Sequence, residues 1–230
     1  MNTIHFLKEY SEINIVDDFK KIEAKKVNII LGVEGGHIYD KTFSQFETFY
    51  ELGVRVFTIT WNNSNRLAHS AFDNDKKGLT KMGKNFIKML KDYEVLIDIS
   101  HASTKTVLDI CETAENKVFA SHSCIRALNP FIRNIDSKAI KAIVSRGGVV
   151  GINFSKKHLG EWTVIDHLNY LYEKFGVNSM AIGSDFDGIT DPILECPAGY
   201  KKISQELLKE DYTKKAVEKI FYKNFLQMLK

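Results

Sequence analysis

The sequence predicts a parallel α/β barrel of the (β/α)8 TIM-barrel type, with about six strand-helix units. Three observations carry this expectation. Short β-branched apolar runs alternate with longer stretches of helical period. The runs are apolar on both faces, as strands of a parallel sheet covered on both sides must be. The polar residues gather where the runs end, at Glu34, Trp61-Asn62-Asn63, Asp98, His101, His122, Asn153, Asp185 and Asp187. In a barrel that end is the functional mouth. No GxGxxG fingerprint follows the first run, which argues against a dinucleotide-binding sheet.

The strand runs are Val27 to Val33, Val54 to Thr60, Val95 to Ser100, Val118 to Ser121, Gly148 to Phe154 and Met180 to Ser184. The helices between them have readable ends. Phe43, Phe46, Phe49 and Tyr50 form one apolar stripe, stopped by Gly53. Thr80 caps a helix whose inward side is Met82, Phe86, Met89 and Leu90. Ser103 opens another, with Val107, Leu108 and Cys111 inward. Asp136 caps the helix of Ile140, Ile143 and Val144, which Gly147 ends. Val164 to Phe175 is a fifth, and the tail from Ser204 reads as two more.

Composition bounds the rest. A chain of 230 residues, 44% hydrophobic and 27% charged, is ordinary for one globular domain spanning 1–230. No Pro/Gly/Ser-rich linker or internal repeat divides it. Lys and Arg number 32 against 29 Asp and Glu, and no basic stripe is interleaved with aromatics, so nucleic acid is not expected as a partner. No apolar run reaches membrane-spanning length, and Met1-Asn2-Thr3-Ile4-His5 does not begin a signal peptide. Cys111, Cys124 and Cys196 form no CxxC pair. A reducing cytoplasm, with no membrane partner, is the expected location.

The chemistry sits at the strand ends. Ile97-Asp98-Ile99-Ser100-His101 and Val118-Phe119-Ala120-Ser121-His122 are buried runs that each deliver a histidine at the mouth. Gly32-Val33-Glu34-Gly35-Gly36 delivers a carboxylate between glycines that allow close backbone approach. Two His and one Glu are a common protein ligand set for catalytic zinc, leaving positions open for water and substrate. Asp185, at the end of the last run, is placed to take a proton from an activated water and pass it to a leaving amine. Asp187, before Gly188, suits a turn. Arg126 and Arg133 follow His122, and either could hold a carboxylate bidentately. His37, three residues past Glu34, is read as peripheral. His69, His158 and His167 are read as loop or helix-surface residues.

The segments GVEGG (32–36), VRVFTITWNN (54–63), LIDISH (96–101), Ser121-His122-Ser123 through Arg133-Asn134, GGVVGINF (147–154) and GSDFDG (183–188) resemble, in order and spacing, the membrane (renal) dipeptidase family of zinc peptidases. The likeness runs from about Val27 to the closing Lys223-Asn224-Phe225-Leu226. It implies a metal-dependent hydrolase on a (β/α)8 barrel, two zinc ions in the family, and small dipeptides as substrates. By the same resemblance Glu34 bridges the metals and His101 and His122 bind the second. Asp185 becomes the acid/base and Arg133 the anchor for the dipeptide carboxylate. Arg126 receives no role.

Two departures shape the expectation. Members of that family begin with a strand ending in His-x-Asp, which completes the first zinc site, and His-x-Asp occurs nowhere in this sequence. At about 30 residues per βαβ unit, roughly 60 to 80 residues of the usual N-terminus are lacking, and Met1 reads as an internal methionine of a longer ancestor. One zinc at most is then expected, on Glu34, His101 and His122. Second, some relatives carry a His where this chain has Trp61, against the reacting carbonyl. The resemblance makes Trp a trait of bacterial members and Trp61 a substrate-binding residue. The alternative function is an impaired barrel that serves as a binding protein or as one piece of a split enzyme. Six strands also leave two open edges. A homodimer, a missing N-terminal or partner segment, or residues 1–26 through Ile13, Ile15, Val16, Phe19 and Ile22 would cover them.

Overall fold

The computed structural model describes residues 6–7, 9–39 and 42–230. All six apolar runs form strands, and every strand pairing is parallel. The strands are β1 (Ile13–Ile15), β2 (Val27–Ile29), β3 (Leu31–Glu34), β4 (Val54–Thr58), β5 (Leu96–Asp98), β6 (Val118–Phe119), β7 (Val150–Ile152) and β8 (Met180–Ile182). β3 to β6 lie side by side in sequence order, and a parallel bridge from Ala120 to Val150 leads on to the β7–β8 pair. β2 and β3 are one pass of the chain, broken at Ile30. The pass pairs with β1 in its first half and with β4 in its second. Among the described residues no pairing joins β8 back to β1 or β3, so the ring has a seam.

β1 adds to the six expected strands. Ile13-Asn14-Ile15 is too short for periodicity to single out, and it lies against Asp17 and Asp18. Its register against β2 is held by a side-chain bond, Asn14 Nδ2 donating to Asn28 Oδ1 at 2.8 Å.

The helices expected between the strands form, those after Thr80, Ser103 and Asp136 beginning at these caps, and two short ones over Ala71–Asn74 and Lys156–Leu159 add to them. α1 is Ser44–Glu51, α2 Ala71–Asn74, α3 Lys81–Met89, α4 Thr104–Thr113, α5 Ser137–Ser145, α6 Lys156–Leu159 and α7 Val164–Phe175. Thr80, Ser103, Asp136 and Thr163 each accept a backbone N–H of the first turn that would otherwise lack a partner. The tail forms α8 (Tyr200–Lys209), then α9 (Lys214–Glu218) and α10 (Asn224–Met228) joined by a π-turn over Lys219–Lys223. That turn leads to Asn224, whose side chain donates to the carbonyls of Val177 and Met180 at 2.7 and 2.8 Å, tying the tail to the start of β8.

Alternation along the strands divides the core in two. Ile97, Val118, Val150 and Met180 face outward into the helix layer. Their neighbours Leu96, Phe119, Val149 and Ala181 face inward, and there they meet Val16, Phe19 and Met228. The segment after β1 thus fills the base of the ring, with Val16 fully buried. A cavity of about 710 Å³ remains at the seam, lined by Ile22, Phe119, Val149, Ala181, Phe221 and Phe225 among others.

The outer layer is anchored by Phe46, fully buried, with ring centroids 4.6 Å from Phe57, 4.9 Å from Tyr93 and 5.4 Å from Phe86. Removing that ring leaves a cavity that rigid neighbours refill only in part. Phe46→Ala should therefore cost about 3 to 5 kcal/mol in urea unfolding. A loss below about 1 kcal/mol would show that α1 does not carry the layer.

Candidate metal centre and cleft

The strand ends bring four of the expected side chains to one height. Glu34 is the last residue of β3. His101, His122 and Asp185 each stand three residues past a strand's last residue, namely Asp98, Phe119 and Ile182. His101 and Asp185 sit at φ of 69° and 57°, in the left-handed region that non-glycine residues seldom occupy. Such conformations are retained where the surroundings over-determine them, commonly at functional sites.

Glu34, His101 and His122 offer ligand atoms that all lie within 4.8 Å of one another. His101 Nε2 is 3.0 Å and His122 Nε2 is 3.3 Å from Glu34 Oε1, and the two Nε2 atoms are 3.0 Å apart. Asp185 Oδ2 stands 3.9 Å from His122 Nε2 and accepts from the Asn153 side-chain amide at 2.9 Å. The adjoining His101 ring, then that of His122, hold the Glu34 carboxyl well below the usual carboxylate range. Burial brings the His101 imidazole down to about 4. Two ring nitrogens so close can share at most one proton, and a carboxylate beside them offers lone pairs only. The three groups converge on one point with lone pairs that could hold a metal ion.

Around them is a cleft of about 500 Å³, walled by Trp61, Phe72, Phe131, Lys157, His158 and Asp187 among others. Trp61 is 45% exposed at its mouth, its ring 6.4 Å from that of His101. Arg133 is buried on the cleft wall, with Nη1 donating to Ser123 Oγ at 3.3 Å and Nη2 to the His122 carbonyl at 3.1 Å. Its Nε has no protein partner, and burial pulls the guanidinium down to about 10. Arg126 is engaged elsewhere, bonded to Asp75 and to the carbonyls of Ile132 and Asn134, which pins the loop that presents Arg133.

The description of the membrane dipeptidase family, peptidase family M19, matches residues 2–230. The chain belongs to this family. An uncharacterized protein of the pqqA 5' region in Klebsiella pneumoniae is 32% identical over 225 residues, covering 90% of this chain and 83% of its own length. Dipeptidase 3 of Homo sapiens is 27% identical over 237 residues and 96% of this chain. The chain spans about half the length of that relative, 48%. Among solved structures, a metallopeptidase from Rhodobacter sphaeroides, liganded with a phosphinate mimic of the dipeptide L-Ala-D-Ala, superposes with a TM-score of 0.90 at 21% identity. That match covers 99% of this chain and 72% of the other. A dipeptidase of family M19 gives 0.89 at 22%, covering 96% and 72%. These likenesses establish the barrel fold. The membrane dipeptidase family is one of metallopeptidases, so the expected fold class and enzyme class stand. Among the described residues no helix is long and apolar enough to cross a membrane.

Two histidines of the chain differ from expectation. His158 is no helix-surface residue: it lines the cleft, stacked on Phe131 at 5.0 Å with its Nδ1 buried and unpartnered. His167 is fully buried, accepting from the Ile125 amide at 3.0 Å and facing the Leu159 carbonyl at 3.3 Å. Neither was legible, because each follows a loop or opens a helix that reads as solvated until the barrel brings another segment over it. His37 is exposed and stands outside the Glu34 cluster.

Burial of histidines sets a pH dependence. His101 is held at about 4 and His158 at about 3, against an ordinary 6.5. As pH falls through 6.5 the unfolded chain takes up protons that the folded one refuses, so stability declines from there to about pH 4 for His101 and on to about 3 for His158. Glu34, lowered from 4.5, adds a loss of the same sign below that value. The urea midpoint of metal-free protein should fall steadily between pH 7 and pH 4, and His158→Gln should flatten part of the slope. A midpoint constant over this range would contradict it.

Proposed function

We propose that this chain hydrolyses small dipeptides, using one zinc ion held by Glu34, His101 and His122. The observation that supports it most is the convergence of those three acceptor groups at the mouth of the ring. A zinc ion there supplies a Lewis acid and makes water acidic enough to attack near neutral pH. The chain's own groups do the rest. Asp185, oriented by Asn153, receives the proton of the attacking water and returns it to the leaving amine. Arg133, on the cleft wall, would anchor the substrate carboxylate, and Trp61 closes one side of the cleft. The cleft volume suits a ligand of dipeptide size. The solved relative that carries a mimic of L-Ala-D-Ala makes that dipeptide the first to try. The free cysteines Cys111, Cys124 and Cys196 fit a reducing cytoplasm.

The test is metal analysis of protein purified without chelator, followed by L-Ala-D-Ala hydrolysis with one equivalent of zinc. One bound ion and turnover support the reading. One bound ion without turnover would favour the alternative, a binding protein or one piece of a split enzyme. Failure to take up zinc on titration would overturn the metal site.

A further inference from the structure

The hydrogen bonds behind His122 impose a direction on its protons. Asp98, buried to 1% exposure inside the ring, accepts four donors. The amides of Ser100 and Ser121 donate to Oδ1 at 3.0 and 2.8 Å, and the hydroxyls of Thr58 and Ser121 donate to Oδ2, both at 2.7 Å. One carboxylate thereby ties β4, β5 and β6 together at the level just below the metal centre. Ser121 Oγ also stands 2.7 Å from His122 Nδ1 and 3.1 Å from Ser100 Oγ. Ser100 Oγ in turn accepts the His122 backbone amide at 3.0 Å.

A serine hydroxyl has one proton. Since that of Ser121 goes to the carboxylate, its oxygen can only accept from His122. The imidazole must then carry its proton on Nδ1. Nε2, the atom that faces Glu34 and His101, is left with its lone pair free.

We infer that Asp98 is a positioning residue which, acting through Ser121, fixes His122 in the tautomer whose Nε2 can bind a cation. The inference rests on the reading of Glu34, His101 and His122 as a metal site. It assigns the buried carboxylate a purpose beyond joining strands. An acidic group placed behind a metal-binding imidazole also raises its basicity as a ligand, and loss of such an outer partner typically costs 10- to 100-fold in metal affinity.

Asp98→Asn is the informative change because it keeps the shape and reverses the chain. With the amide nitrogen on the Ser121 side, Ser121 must accept from it and donate to His122 Nδ1, which moves the imidazole proton to Nε2. Ser121→Ala breaks the connection while leaving Asp98 its other three donors, and it serves alone if Asp98→Asn fails to fold. Ser121→Thr keeps the hydroxyl and should restore the wild-type behaviour. Two measurements are needed: ring 15N chemical shifts of the histidines in metal-free protein, and zinc affinity by competition with a chromophoric chelator. The expected result is an Nδ1–H tautomer at His122 in the wild type and an Nε2–H tautomer in Asp98→Asn. Zinc affinity should fall about 10- to 100-fold in Asp98→Asn and Ser121→Ala. Wild-type tautomer and affinity in either folded variant would overturn the inference. So would a loss of thermal stability with the tautomer unchanged, the signature of a purely structural carboxylate. If the wild type itself binds no zinc, the metal reading fails, while the 15N shifts still judge the Asp98–Ser121–His122 connection on their own.

Discussion

Zinc at a hundredfold excess over its dissociation constant should stabilise the wild-type chain by about 2.7 kcal/mol, and this increment should vanish in His101→Ala and in His122→Ala. The metal-free melting temperature of each variant is the baseline for its own increment, because truncating either buried ring also removes its hydrogen bonds, His101 to Asn62 and His122 to Ser121. The loss of affinity should exceed the 10- to 100-fold expected for an outer partner, because a ligand atom is removed outright. Thermal melts with and without zinc check both halves. A zinc-induced rise that survives in both variants would place the ion elsewhere.

Asp185→Asn should lower kcat for dipeptide hydrolysis by about 10² to 10⁴, the usual contribution of a positioned proton carrier, with zinc affinity little changed. Asp185 is not among the three groups that converge on the proposed ion, and its φ of 57° is one that asparagine adopts readily. The fold and the ion should therefore survive while the proton transfer does not. Steady-state kinetics at saturating zinc separates the effects. A fall of less than about tenfold would remove Asp185 from the chemistry.

The sequence made legible those features whose signal is local. The caps at Thr80, Ser103 and Asp136 and the turn at Gly147 define helix ends through residues close in sequence. The six buried runs became strands because unbroken apolar character has few other uses in an alternating chain. Glu34, His101, His122 and Asp185 were legible because a polar residue ending such a run is costly without a purpose. What stayed hidden depends on distant segments. Arg126 and Arg133 read alike until Asp75, 51 residues away, claims the first and burial claims the second. The inward faces of α3 and α4 were displaced from the expected ones, since Ile87 and Ile110 are buried and Met82 and Leu108 only partly so. Periodicity gives the stripe, but the neighbouring helix decides where its centre lies. Asn62, 2.9 Å from His101 Nδ1, stood among the strand-end residues without a role, because only the folded loop reveals which ring it meets.

The seam in the ring bears unequally on the three convergent groups. β5 and β6, which deliver His101 and His122, are flanked by strands on both sides, whereas among the described residues β3 has a neighbour along one edge only. Strand segments held on one side open at lower free energy than those held on two. The oxygen ligand is thus the first to let go and the last to return. A captured ion would leave by way of Glu34 while both imidazoles remain in place, and its residence time would be governed by the breathing of an edge.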